Sequence, residues 1–382
     1  MNESPGVRTA GSVSGTLPSD GRARNLSLVR QTLHSSGAMS RADLSRALGL
    51  TRVTVSDLVA HLIERGHVVE LGQSEKGRPG KPAILVDLNR RGLQIIGMDL
   101  AENGVLRAAV LDLDGNIVNR LERSIGPETG EAVVSQVVQL AADAMELATA
   151  TLLGIGVGTP GIVSPDGVVV EASNLGWKNV RLRDLLQKHT GIPVLVSNDA
   201  DAAVHAEYTF GGGSDDMILV KIGRGVGSGL IVGGRRVRGA HSGAGEIGHV
   251  TVGTDGGAVC NCGKTGCLET WMSVPNLERK MAEAAASPEP EAAADALFRE
   301  AGERLAVALA PVVGALDLSE VVLSGPPHLL DGQLLDAVET TLLSRLLQQD
   351  PAPVSVRLAD DAPDIVLRGT SVLVLWNQLG VA

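Results

Sequence analysis

Residues 245–270 read "GEIGHVTVGTDGGAVCNCGKTGCLET", and this stretch holds every cysteine of the 382-residue chain: Cys260, Cys262 and Cys267. Three thiols so closely spaced, with Gly263 and Gly266 allowing tight turns, bring three soft ligands within reach of one centre. A structural zinc ion takes four ligands in a tetrahedron. His249 and His241 are the nearest candidates for the fourth, and His249, at the end of the glycine-flanked "GAGEIGH", is the better placed. Three cysteines and a histidine close the shell and leave no position for an activated water, so the expected zinc is structural. A thiol-redox or hydrolytic role for the cluster is disfavoured by the same closure. An odd, clustered set of cysteines without a secretory h-region points to reduced thiols and a cytoplasmic chain.

Outward from the cysteines, the chain alternates strands and helices. "QIIGMDLAENGVLRAAVLDLDGNIVNRLE" (94–122) reads as three strands with a turn at Asp114-Gly115, followed by a helix over about 130–149. "LLGIGVGTPGIV" (152–163) is a buried strand breaking into a Gly/Pro loop. "PVLVSNDADAAVHAEYTFG" (193–211) is a strand and a helix capped near Asn198-Asp199, and "DMILVKIGRGVGSGLIVGGRRVRG" (216–239) is a hairpin with a glycine-rich bend. The strand–strand–strand–helix order near 95 and again near 217 implies two similar α/β halves enclosing a cleft. Hydrophobic residues make up 44% and aromatics 2%, so the core is built from Val, Leu, Ile and Ala. No apolar run reaches the length of a membrane span.

The N-terminal part is different in kind. Residues 1–22 lack periodicity and read as a disordered tail. Over 23–90, Leu26, Val29 and Leu33 mark one helix, and Ser40 with Asp43 opens a second that carries Leu44 and Leu48. A turn at Gly49-Leu50 leads to a third helix burying Val55, Leu58, Val59, Leu62 and Ile63. Two short helices across a glycine turn describe a helix-turn-helix. Arg52, Thr54 and Ser56 lie near the start of the second one, where a recognition helix meets base edges and phosphates. Two strands around "EKGRPGKP" (75–82) make a wing, whose Arg78 and Lys81 sit on a stiff Gly/Pro scaffold suited to a narrow minor groove. Net charge supports a polyanionic partner for this end alone: residues 1–90 carry +4, while the whole chain carries −11. Double-stranded operator DNA is the expected partner.

"GEIGHVTV" followed by "CNCGKTGCLE", together with "GTPGIV", "NLGW" and "NDADAAVHAE", resembles the ROK family of repressors, open reading frames and sugar kinases. The likeness runs over 93–382, with a zinc-binding loop at 249–269, and the winged helix resembles the family's transcription-factor branch. It implies a two-lobed actin/hexokinase-like fold, a structural zinc held by His249, Cys260, Cys262 and Cys267, and a sugar in the cleft. Carried over by position, the sugar-contacting residues are Asn174, Asn198, Asp199, Glu246, His249 and Glu269. A polyol needs donors and acceptors around its hydroxyls, and carboxylates are strong acceptors. His249 can give one ring nitrogen to metal and the other to a hydroxyl. Trp177 and Trp271 are available for stacking or for packing.

In the kinases that the chain resembles, Asp199 is the base, and glycine loops hold ATP. Here the first loop reads Asp99-Leu100-Ala101-Glu102-Asn103, without the glycines that let backbone approach phosphate. A carboxylate about 4 Å from a phosphate costs on the order of 4 kcal/mol at an effective dielectric of 20. The second loop, "GRGVGSG" (223–229), keeps its glycines, with Arg224 in place of threonine. The third, "LSGPPHLL" (323–330), places Pro326 and Pro327 at a glycine-rich turn, removing amide donors. Asp199 is therefore read as a vestigial base that now recognises sugar. The expected function is a sugar-responsive DNA-binding regulator, a repressor without kinase activity, acting as a homodimer or homotetramer on a palindromic operator. An active kinase of hexoses or N-acetylhexosamines with an appended DNA-binding domain is the alternative.

Overall fold

Helix α1 (Pro18–Ser36) opens the computed structural model, which describes residues 18–73, 83–102, 104–252, 257–347, 354–360 and 362–381. The chain divides into two units, one running through Asn89 and including Leu379–Val381, the other Arg90–Gln378. In the first unit α1 is followed by β1 (Met39–Ser40), α2 (Arg41–Leu48), α3 (Arg52–Glu64), β2 (Val68–Gln73) and β3 (Ile84–Leu88). Helix α1 thus starts inside the segment expected to be a tail. Ser40 caps α2: its Oγ accepts from the Asp43 amide at 3.1 Å and donates to the Asp43 carboxylate at 2.7 Å, closing the anticipated box. Gly49 ends the helix in the left-handed region at φ 65°, which aims α3 away from α2. Val29, Leu33, Leu44, Val55, Leu58, Val59 and Leu62 are buried together with Val86 and Leu88, whereas Ile63 and Leu48 are only half-buried. The strands form an antiparallel sheet in the order β1-β3-β2. The tip of the wing, with Arg78 and Lys81, lies outside the described residues.

The second unit contains the expected repetition. Its first half runs β4 (Leu93–Asp99), β5 (Val105–Leu111), β6 (Ile117–Ser124), α4 (Glu131–Glu146), β7 (Thr151–Thr159), β8 (Ile162–Val163), β9 (Val169–Ala172), β10 (Trp177–Val180), α5 (Leu182–Thr190), β11 (Val194–Asn198) and α6 (Asp199–Phe210). Its second half runs β12 (Met217–Ile222), β13 (Val226–Val232), β14 (Arg235–Arg236), α7 (Glu269–Met272), α8 (Val274–Ala285), α9 (Pro290–Leu316), β15 (Glu320–Ser324), α10 (Pro327–Leu330), α11 (Gln333–Arg345), β16 (Ser355–Leu358) and α12 (Ile365–Leu379).

The main sheets are ordered β11-β7-β4-β5-β6 and β14-β13-β12-β15-β16. In each, the first three strands form an antiparallel meander and the last two join parallel to the first strand. β8, β9 and β10 make a small extra sheet beside the first. The two halves interlock through their last helices. Helix α6 follows the first sheet but packs on the second: a Cβ at Gly229 of β13 would stand 2.7 Å from the Ala200 carbonyl oxygen. Helix α12 follows the second sheet but lies on the first, where a Cβ at Gly156 would stand 2.1 Å from the Thr370 carbonyl oxygen. The helices also meet each other, since a Cβ at Gly369 would fall 1.7 Å from the Ala202 carbonyl oxygen. Only glycine allows such backbone contact. Among the described residues, no helix is long and apolar enough to cross a membrane.

Candidate ligand cleft and metal centre

The chain between β14 and α7 folds back on itself through single bridges, Thr251 to Cys267 and Val259 to Thr265. These bring one donor atom each from His249, Cys260, Cys262 and Cys267 to within 4.8 Å of one another. The Cys262 and Cys267 sulfurs are 3.6 Å apart, and the Cys260 sulfur is 3.6 Å from His249 Nδ1. A tetrahedron with metal–sulfur bonds near 2.3 Å has edges of about 3.8 Å, so the donor set fits a soft tetrahedral ion. Cys260 and Cys267 are buried and Cys262 is exposed. Burial pushes the Cys260 thiol up to about 12 and that of Cys267 above its usual range, so a bound cation would be needed to hold them as thiolates. His241 is not in the cluster.

Beside the cluster lies a cavity of about 420 Å³ lined by all six expected ligand residues: Asn174, Asn198, Asp199, Glu246, His249 and Glu269. They arrive from separate segments. Asn174 sits in a short 3-10 turn after β9, Asn198 ends β11, Asp199 opens α6, Glu246 precedes a second 3-10 turn that ends on His249, and Glu269 begins α7. His249 points Nδ1 at Cys260 and also lines the cavity, so one imidazole borders both the cluster and the cavity. Glu269 links them as well: one carboxylate oxygen accepts from the Val226 amide at 3.1 Å and the other lies 3.7 Å from the Cys260 sulfur. Burial raises the Glu246 carboxyl above its ordinary value. Asn198 is less available than its side chain alone suggests. Its Oδ1 caps α6 by accepting from Ala200 and Asp201 amides at 2.8 and 3.1 Å, and its Nδ2 donates to the Gly161 carbonyl at 2.9 Å.

The residue that sequence reading passed over is Lys221. It lies on β12 among buried apolar neighbours, lines the cavity, and places Nζ 3.0 Å from Asp199 Oδ2. Its ammonium is held protonated above the ordinary lysine value, burial opposing and the Asp199 and Asp99 charges favouring the cation. Asp99 is 1% exposed, accepts from the Ala101 amide at 2.9 Å, and is raised to about 6, chiefly by desolvation. A lysine interrupting "DMILVKIG" was the available signal.

The other expected positions divide. Glu102 does not aim freely at a nucleotide: it lies 3.8 Å from Arg107, which offsets the repulsion expected of it, and Asn103 lies outside the described residues. Arg224 lines the cavity, and Pro326-Pro327 start the four-residue α10. Trp177 is buried and donates to the Gly130 carbonyl at 3.0 Å. Trp271 carries Lys280 and Arg304 over its ring at 3.8 and 3.6 Å. Both tryptophans are packing groups and neither lines the cavity. On α3, Arg52 and Ser56 are exposed, while Thr54 is half-buried and spends its hydroxyl on Thr51 at 2.9 Å. Val53, 79% exposed on the first turn, is an additional candidate for apolar contact with a base.

Residues 96–376 match the family model described as "ROK family", and residues 38–66 match "Bacterial regulatory proteins, crp family". The xylose repressor of Caldicellulosiruptor bescii is 35% identical over 257 residues, covering 65% of this chain and 63% of that protein. The match thus spans less than two thirds of that repressor's length. A ROK family transcriptional regulator, a homologue of the E. coli MLC protein, superposes with a TM-score of 0.81 over 94% of this chain and 97% of its own, at 24% identity. A ROK family glucokinase from Streptomyces griseus, solved with glucose and AMPPNP, superposes with a TM-score of 0.64 over 73% of this chain and 98% of its own, at 28% identity. Sheet duplication, interlocked helices and the family match over most of the length agree: the chain belongs to the ROK family.

Proposed function

We propose that this protein is a sugar-responsive DNA-binding repressor, in which a sugar or sugar derivative in the cleft of the second unit controls operator binding by the first. The observation that carries this reading is the convergence of Asn174, Glu246, His249 and Glu269 on one cavity where Asp199 is already ion-paired to Lys221. An aspartate held by an ammonium is a poor proton acceptor but a good anchor for hydroxyls. His249, Cys260, Cys262 and Cys267 hold a structural zinc that fixes the loop presenting His249 and Glu269. Arg52, Ser56 and Val53 on α3, with Arg78 and Lys81 on the wing, meet operator DNA. Asn198 and Thr54, with most of their hydrogen-bonding capacity already used, take secondary parts. The regulator works as a cytoplasmic homodimer or homotetramer on paired half-sites. The sequence similarity to a xylose repressor supports the class of effector without fixing which sugar binds.

Thermal-shift screening of the full chain against a carbohydrate panel, followed by operator-release assays with each hit, tests this reading. A sugar that binds the free protein a hundredfold better than the DNA-bound form supplies about 2.7 kcal/mol of coupling. One observation favours a sugar kinase instead: Asp199 borders the cavity beside a 223–229 loop that keeps its glycines. Turnover above roughly 1 s⁻¹ with Mg-ATP and any hexose or N-acetylhexosamine would decide for the kinase.

A further inference from the structure

The floor of the cleft contains an arrangement that sugar recognition alone does not require. β4 ends on Asp99, whose backbone pairs with Gly158 of β7. A Cβ at Gly158 would lie 3.7 Å from the Asp199 Cα, so the two aspartates belong to one small volume at the ends of the first half's strands. Lys221 reaches this volume from the other half. Its ammonium is 3.0 Å from Asp199, and a Cβ at Gly223 would lie 3.5 Å from it. The charges of Lys221 and Asp199 both act on Asp99. One cation paired to a cavity-lining carboxylate, with a second carboxylate, 1% exposed, buried on the neighbouring strand end, is an arrangement of charges that a divalent ion otherwise completes in an oxygen-ligand site. Gly223 leaves room beside the ammonium, and the next residue, Arg224, brings a second cation to the cavity lining.

We propose that Lys221 is an internal counter-ion, a positioning residue that stands where a divalent cation would bridge Asp99 and Asp199, so that the cleft takes its ligand without metal. This deepens the sensor reading, on which it rests only for the identity of the ligand. A kinase needs a divalent ion to carry nucleotide phosphates. A sensor with a tethered ammonium has the Asp199 charge answered before any ligand enters. The Asp199 carboxylate is thereby oriented toward the cavity, and the site's response is independent of cellular magnesium.

Mn²⁺ is the probe, followed by water-proton relaxation on the zinc-loaded full chain. The unchanged protein is expected to bind no Mn²⁺ at the cleft. Lys221→Met is expected to gain one site per chain, tighter on the order of a hundredfold than any in the parent, because a unit charge at this distance is removed. Adding Asp199→Asn abolishes the gain, and Lys221→Arg shows none. Should Lys221→Met fail to fold, the Lys221→Met/Asp199→Asn double variant decides. Its recovery of the fold supports the counter-ion role, and its failure overturns it. A folded Lys221→Met protein without a new site overturns the proposal, as does a parent protein whose Mn²⁺ binding is lost on Asp199→Asn. Neither readout involves sugar, so a failed sugar screen and a failed counter-ion remain separate results.

Discussion

The two halves of the second unit share one strand order and differ where their strands reach the cleft. β4 closes on Asp99, and its counterpart β12 carries Lys221 one residue before its end. Because both meanders deliver their first strand to the same cleft, a negative charge on one is answered by a positive charge on the other. The loops that follow diverge further. The first half has Leu100-Ala101-Glu102 where backbone would need to be bare, while the second keeps Gly223, Gly225, Gly227 and Gly229. Only the second half has the thiol-rich excursion between β14 and α7. Duplication supplied two equivalent frames. Each contributes ten residues to the cavity lining, and the six candidate ligand residues divide equally between them, but only the second presents its share from a cysteine-braced loop.

The sharpest way to break this asymmetry is to remove the brace that one half owns. Cys267→Ser is expected to lose the metal and about 4 kcal/mol of stability. That corresponds to a fall of about 10 °C in melting temperature for a unit of this size. The same variant should lose the sugar response, because His249 and Glu269 are both tied to the cluster. Calorimetry and metal content check this together. A variant that is metal-free yet melts within about 2 °C of its parent means that the excursion holds itself. The symmetric feature, interlocked last helices, comes next. Gly369→Ala places a methyl against the α6 backbone and should cost about 3 kcal/mol in denaturant unfolding. Gly314→Ala in α9, where the nearest neighbour is a flexible Leu346 methyl at 3.3 Å, is the control and should be close to neutral.

A smaller effect tests the charges that face each other. Burial raises the Asp99 carboxyl to about 6, against roughly 3.9 in an unfolded chain. Between those values the folded state binds more protons than the unfolded state, so stability falls as pH rises through this window. Two units correspond to about 2–3 kcal/mol. Asp99→Asn should remove that dependence, and the stability difference between variant and parent should shift by about 2 kcal/mol in the variant's favour from pH 4 to pH 7. Asp201, also raised to about 6 by burial, titrates in both proteins and drops out of the difference.

Local patterns carried most of the sequence reading, and the failures have a common cause. The meeting of His249 with the three cysteines was legible because three of the four lie within one glycine-rich loop, where spacing brings them together. The Ser40–Asp43 box and the Gly49 turn were legible for the same reason. Lys221 was not, since its meaning depends on Asp199 at the start of α6 and on Asp99 at the end of β4, which come near it only after both halves have folded. Asn198 was read both as a helix cap and as a sugar contact, and the cap, a local feature, is the part that the structure shows. Ile63 satisfied helical periodicity but lies on the last turn of α3, where the helix leaves its core. The tail boundary moved because helix α1 extends past the last periodic apolar residue to Pro18. For polar segments, apolar spacing has nothing to report.

The gentlest perturbation bears on how far the first loop has departed from the second. Glu102 is 40% exposed and 3.8 Å from Arg107, which is 20% exposed, a partly exposed and loosely spaced pair worth about 1 kcal/mol. Glu102→Gly restores bare backbone and removes a carboxylate, but Arg107 already screens that charge, so the full repulsion between bare charges does not apply. Affinity for AMPPNP, measured calorimetrically, should therefore improve by less than about tenfold, which is 1.4 kcal/mol. Lys221 and the Pro326-Pro327 start of α10 remain in place, and neither is altered by this change. A gain of a hundredfold or more would mean that one side chain separates the two loops, and that the first half is a nucleotide site held shut by a single charge. A gain within the expected range means that the obstacles to nucleotide are distributed over the first loop, β12 and α10, and that no single reversal restores tight nucleotide binding.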